Sequence, residues 1–585
     1  MEAFIRPLEE LSDYQALRGR LKGNRGILQL SGCIDSQKAH VMYAMSRNFR
    51  NCLIITENDL KAKEIYEDYR FYDREALLYP AKDLIFFQAD IHGNLLTRER
   101  MKAVAALLEK KGVTVITSIG GCMDYLLPLE TIGRRVLRFR NDSEIDIDKL
   151  KKDLIGLGYE RSAQVEAAGQ FSVRGGIIDI FPLTEENPWR IELWGDEIDS
   201  IRSFEAESQR SIENLEEIAI YPASEIVLDE DSAEKGIKAI EKEMKSYVKR
   251  LRDKFLTEEA ARVKGSVEEV LENLREFENL QAAEHFIHYF YDELVSLPDY
   301  FDPEDTLFFL DEPNHLLDKG EVIEEEFRES MQNRLEKGYL LPSQARLITG
   351  YRDTVNTLNH KNCVSVCTID HKQADWKING KYSIVTKSVN SYNNSFELLV
   401  KDLKQWKKGG YRVALLSGSR TRAARLAEDL REEGLNSFYS DDTEREIQPG
   451  EIMVVYGHAH RGFAYPMVKF VIITETDIFG KEKKKRRKKT EYSGKKIQSF
   501  TELNVGDYVV HENHGLGVYR GIEKVEVENV VKDYIKIEYA GRSNLYVLAT
   551  QLDILQKYAG ADAKKPKLNK LGGQEWKKTK TRVRG

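Results

Sequence analysis

Leu30–His40, LSGCIDSQKAH, is the stretch on which the fold of the first part of the chain turns. The apolar run GILQLSG at 26–32 enters a glycine, and Lys38 follows six residues later. Phosphate-binding loops have this form, G-x-x-x-x-G-K-[ST]: glycines let backbone amides wrap the phosphates, the lysine reaches the β/γ oxygens, and the hydroxyl holds Mg²⁺. Here the register is GCIDSQKA. Gly32 and Lys38 keep their places, but Gln37 stands where the second glycine belongs and Ala39 replaces the magnesium hydroxyl. Asp35 adds a carboxylate that repels a phosphate. The other half of such a site is an apolar strand ending in acid, and LFFLDE at 307–312 supplies it with Asp311 and Glu312. The six residues Gly32, Gln37, Lys38, Ala39, Asp311 and Glu312 therefore mark a degenerate nucleotide site, a nucleotide-binding fold without its nucleotide.

Working outward, CLIITE (52–57), ALLYP (76–80) and VTVITS (113–118) read as further buried strands, with a helix over 58–70 between the first two. Strands alternating with helices predict a parallel α/β sheet. From residue 129 the pattern changes to short strands broken by Gly and Pro, an α+β insert running to 222. The chain then turns helical and charged before TLFFLDEP (306–313) returns to the sheet. A second, smaller α/β domain is expected over 351–480. Residues 481–489, KEKKKRRKK, hold eight basic residues in nine and form a basic linker through 497. Residues 498–565 alternate strongly around Gly-rich turns, as a small SH3- or Tudor-like β-barrel does. Residues 566–585 are basic and stop without a closing element, which reads as a cut chain.

Composition excludes several classes. The 585 residues carry 89 Lys and Arg against 97 Asp and Glu, a net charge of −8, so the protein is no general nucleic-acid coat. Apolar runs stay short of a membrane span and the amino terminus lacks a signal-peptide pattern, so a cytoplasmic, membrane-free monomer is expected. Five scattered cysteines fit a reducing compartment. Cys363 and Cys367 read as strand core, His458, His460 and Arg461 as a polar loop, and most of Phe171, Trp189 and Trp194 as core of the insert; no metal site emerges. Arg161, Arg174, Arg190 and Arg202 recur through the insert's strands and suit a protein partner. The basic run lacks aromatic residues to stack bases, so any binding of double-stranded DNA is weak and non-specific.

GCIDSQKA, LLYPAKDLIFFQADIHGNLLTRERMKAVAALL (77–108), FSVRGGIIDIFP (171–182) and WRIELWGDEIDSIRSFEAESQRS (189–211) together resemble the amino-terminal half of the bacterial transcription-repair coupling factors, and also look like UvrB. NVGDYVVHENHGLGVYRGIEKVE (504–526) is similar to that family's RNA polymerase-interacting module, shared with CarD-type regulators. The resemblance implies a UvrB-like α/β domain over 1–128 and 223–350, a UvrA-binding insert over 129–222, and a polymerase-binding barrel over 498–565. It implies Arg161, Arg174 and Phe181 on the UvrA-facing surface, with Arg190 and Arg202 as further candidates. It also implies a grip on the polymerase β subunit by strand addition, the edge expected at Val525–Val527 and at Tyr534, Ile535 and Ile537. ATP and Mg belong to the family's motor, and no intact phosphate loop occurs in this sequence, so it is expected to need no cofactor, to hydrolyse no ATP and not to translocate. The expected role is an adaptor in transcription-coupled nucleotide excision repair; the alternative is a UvrB-like DNA-binding protein with weak residual ATPase.

Overall fold

The computed structural model describes residues 1–82, 94–278, 280–370, 374–480, 503–511, 515–527, 530–540, 544–548, 555–557 and 568. The basic run at 481–489, the rest of 481–497, and nearly all of 566–585 lie outside the described residues.

Seven parallel strands form the first sheet, in the order Ile378–Ser383, Gly26–Ser31, Asn362–Cys367, Thr306–Asp311, Asn51–Thr56, Thr114–Ser118, Leu77–Tyr79. Its central strands are buried on both faces because both faces are covered, whereas the edge strand Ile378–Ser383 alternates with solvent. Ile27, Leu53, Ile55, Val115, Phe308, Leu310 and Cys363 face one core with helix Pro313–Glu336 and the insert. Leu28, Leu30, Ile54, Ile116, Leu307, Phe309, Val364 and Val366 face a second core. Cys363 and Cys367 are both fully buried in their strand. Two of the seven strands come from beyond residue 350, so the first domain does not end there: Asn362–Cys367 and Ile378–Ser383 complete it.

An antiparallel bridge between Leu126 and Val295, with reciprocal amide–carbonyl bonds of 2.8 and 2.9 Å, closes the chain around the segment that holds the insert. Within it, Ser211–Leu215, Glu197–Phe204, Trp189–Trp194, Ile177–Ile180, Gln170–Arg174 and Glu160–Arg161 form a six-stranded sheet in that order. Helices Glu230–Asp253 and Thr257–Glu276 then pair around Ile240, Val263, Val267 and Leu271.

The second α/β sheet runs Lys387–Ser388, Phe463–Tyr465, Phe470–Thr474, Arg412–Ser417, Glu451–Tyr456, Asn436–Tyr439. It does not stand apart. Phe463, Tyr465, Phe470 and Ile472 share the second core of the first sheet with Phe4, Leu30 and Met42. At the carboxy-terminal end, Asn544–Leu548, Val530–Glu538, Gly515–Val527, Tyr508–His511 and Leu555–Lys557 form an antiparallel five-stranded sheet around Val509, Ile535, Ile537 and Val547. Among the described residues no helix is long and apolar enough to cross a membrane, and no group of His, Cys, Asp and Glu could hold a metal ion.

Candidate functional sites: the Lys38 crest and the arginine face

Strand Gly26–Ser31 ends at Gly32, whose φ of +85° is open to glycine and costly for other residues. A methyl group there would overlap the Ile384 carbonyl oxygen. Gly32→Ala is therefore expected to destabilise the chain by at least about 1–2 kcal/mol, read as a lowered unfolding midpoint; an unchanged midpoint would refute the tight turn.

Five of the loop's amides are spent within the chain. Gly32, Cys33, Gln37 and Lys38 amides donate to the carbonyls of Thr368, Cys367, Ile34 and Asp35. The Ile34 amide donates to Gln37 Oε1 at 3.0 Å. Lys38 Nζ donates to Asp311 Oδ1 and to Glu312 Oε1, both at 2.7 Å, with all three side chains largely buried. Glu312 sits in a left-handed backbone conformation, φ 49°, which turns its carboxylate back to accept from the Thr368 amide and hydroxyl, each at 2.8 Å. Burial works against the Lys38 charge, but Asp311 and Glu312 outweigh it and raise the ammonium above its usual range. Burial pushes Asp311 up despite Lys38, whereas Lys38 and Thr368 overcome burial at Glu312 and hold it low. The lysine is thus engaged by two anions of its own chain.

Sequence reading missed what covers this crest. Gln37 Nε2 donates to the Tyr465 hydroxyl at 2.9 Å, and Tyr465 lies 2.8 Å from His40 Nδ1. His40 Nε2 reaches the Phe4 carbonyl at 2.8 Å. Burial drives the His40 pKa down to about 4, so the ring is neutral: Nε2–H donates to Phe4 and Nδ1 accepts from Tyr465. Nearby, the Arg461 amide donates to Ser36 Oγ at 3.0 Å. The His460 amide and Nδ1 both donate to Asp68 at 2.8 Å, and its Nε2 lies 3.1 Å from Glu67. The hydrogen bonds it donates to Asp68 and Glu67 raise the His460 pKa to about 10, so it is a cation tying the two α/β units together.

The insert's sheet buries Phe171, Val173, Ile178, Ile180, Trp189, Ile191 and Leu193 on one face. Strand alternation sends Arg174, Asp179, Arg190, Glu192 and Arg202 to the other. Asp179, 1% exposed, accepts from Arg174 Nη2 at 2.7 Å and from Arg190 Nε and Nη2 at 2.6 and 2.8 Å. Arg190 also donates to Gln209 Oε1 at 2.8 Å and lies over the Phe204 ring at 4.4 Å; Arg202 pairs with Glu192. Arg190 and Arg202 are therefore held by internal carboxylates and serve the face rather than reach out from it. Arg174 stays 47% exposed. Arg161, exposed, and Phe181, half-buried, lie at the opposite end of the sheet, where Arg161 is beside Phe171 and the Phe181 amide donates to Gln170. Trp194 is not core: it is 85% exposed at a hairpin tip, whereas Phe171 and Trp189 are buried.

The expected polymerase edge divides. Tyr534, Ile535 and Ile537 belong to Val530–Glu538, which has strands on both sides over that stretch, and all three side chains are buried. A strand paired on both sides cannot accept another, so these three are not the edge. Val525 and Val527 pair with Lys532 and Val530 on one side, and among the described residues no strand pairs with their other side. Their side chains lie outside the described residues.

Residues 137–226 match the UvrB interaction domain and residues 503–559 the CarD-like/TRCF RID domain. A transcription-repair-coupling factor of Bacillus subtilis (strain 168) is 31% identical over 593 residues, covering 98% of this chain and 49% of that protein. One from Staphylococcus haemolyticus (strain JCSC1435) is 31% identical over 96% of this chain and 47% of that protein. One from Staphylococcus aureus (strain MRSA252) is 32% identical over 92% and 46%. The chain spans about half the length of the curated relatives it matches.

Proposed function

Since the chain belongs, along nearly its whole length, with the transcription-repair-coupling factors, we propose that it is the adaptor part of such a factor, linking stalled RNA polymerase to the repair protein UvrA. One observation carries this reading: the two matched domains present separate surfaces, the arginine face and the flank of residues 520–527 that no strand pairs with among the described residues, and neither includes the Lys38 crest. The insert takes UvrA through Arg174, with Arg161 and Phe181 at the far end of the sheet. The carboxy-terminal sheet, read as a barrel, takes the polymerase β subunit by adding a strand along the flank that ends at Val525 and Val527. The crest is a relic: Lys38 is engaged by two carboxylates, Gln37 replaces the second glycine and Ala39 offers magnesium no hydroxyl, and together these disfavour the UvrB-like ATPase. Cofactor-free, monomeric work in the cytoplasm completes the reading.

Size-exclusion co-elution with UvrA and, separately, with the polymerase β lobe, both without ATP, tests it. Both complexes are expected. Arg174→Ala should weaken the UvrA complex about tenfold or more and leave the polymerase complex intact. Failure of the wild-type chain to bind either protein would end the adaptor reading.

A further inference from the structure

The arginine face ends in a side chain that the fold leaves bare. In WRIELW (189–194), Trp189, Ile191 and Leu193 point into the core, so alternation sends Trp194 to the face of Arg174. There it is 85% exposed. Tryptophan offers a large apolar ring, and Trp and Arg are the residue types enriched among the anchors of protein interfaces.

The two hairpin tips of this sheet end adjoin. The Leu193 amide donates to the Gly176 carbonyl at 2.8 Å, Arg174 stands opposite Ile177, and Ile177 opposite Glu192. With strands about 4.8 Å apart, the backbones of Arg174 and Trp194 lie about 10–12 Å from one another. Gly175 and Gly195 form the turns at φ of +61° and +65°, and a Cβ on either would meet nothing within 4 Å, so another surface can approach both turns closely. Arg190 makes three hydrogen bonds, to Asp179 and Gln209, whereas Arg174, the most exposed of the face's three arginines, gives one to Asp179 and has donors left for a partner.

We propose that Trp194 is the apolar anchor of the docking face, filling a pocket on the partner while Arg174 takes a carboxylate at the pocket's rim. The inference rests on the UvrA reading above and names the side chain that carries it. A protein partner fits better than nucleic acid, because Asp196 and Glu197, both exposed, follow Trp194 at the tip and repel phosphates.

Titration of the full chain against UvrA, with double-stranded DNA in parallel, tests this. Trp194→Ala is expected to weaken UvrA binding by about 20-fold or more, and Trp194→Phe to stay within about fivefold of wild type. The far-UV dichroism and unfolding midpoint should not move in either variant, because the side chain packs on little of its own protein. If Arg174→Ala weakens UvrA binding and Trp194→Ala does not, the anchor is refuted and the docking face stands. If neither variant changes the binding, or the wild-type chain does not bind UvrA, both readings fail. If Trp194→Ala reduces DNA binding and spares UvrA, the tip serves nucleic acid and the inference is overturned.

Discussion

Lys38→Met is expected to destabilise the protein by about 3–5 kcal/mol, because it leaves Asp311 and Glu312 facing each other in a dry site without their cation. Chemical denaturation with two probes would read this as a lower midpoint. The same substitution made together with Asp311→Asn and Glu312→Gln should recover much of the loss, since removing all the charges at once also removes the need to pair them. A single Lys38→Met variant as stable as wild type would mean that the lysine is not the counter-ion of this crest. ATP with magnesium should leave both midpoints unchanged, as a ligand stabilises only the state it binds.

Tyr465→Ala should cost about 3–5 kcal/mol, the range for deleting a large buried ring. Tyr465→Phe should cost about 1–3 kcal/mol, because it keeps the ring stacked on Phe470 but strands the Gln37 amide and the His40 ring nitrogen. The difference separates packing from polar continuity. His40 adds a pH signature. Its folded pKa of about 4 lies below the ordinary 6.5, so between those values the unfolded chain binds more protons. Stability contributed by neutral His40 is complete above the unfolded value and falls as pH drops toward 4, by up to about 1.4 kcal/mol per unit. Urea midpoints at pH 7 and pH 5 would check the sign. If the Tyr465→Phe midpoint equals wild type at both, the hydrogen-bond chain contributes nothing to the joint between the two α/β units.

Much of this was legible in the residues. The alternation of apolar runs and amphipathic helices specified a parallel sheet, and GCIDSQKA with LFFLDE located Lys38 beside Asp311 and Glu312. What escaped was long-range. NCVSVC (362–367) is a buried strand on any reading, but nothing local says which of two sheets takes it, and sheet membership is settled by pairing with Thr306–Asp311 on one side and with the distant Gly26–Ser31 on the other. The cover supplied by Tyr465 escaped for the same reason. Tyr534, Ile535 and Ile537 entered the expected edge through the family resemblance, and their types could not correct it, because β-branched and aromatic residues suit any strand, central or marginal. Trp194 was different: the parity of WRIELW already placed it outside, and its apolar character overrode the count.

The order of strands in the first sheet also sets a timetable. Thr306–Asp311 sits between Asn51–Thr56 and Asn362–Cys367, near the middle of the sheet. During synthesis the early strands leave the ribosome first, and the central one follows some 250 residues later. At roughly 5–20 residues per second that interval lasts about 10–50 seconds. For that time the nascent chain carries an apolar strand with an open flank, Asn51–Thr56, and the Leu126–Val295 bridge can form only at its end, since Val295 is made just ahead of Thr306. A holding chaperone, or slow passage through codons near residue 300, would act in that window, and the yield of folded protein would depend on it more than on the stability of the finished sheet.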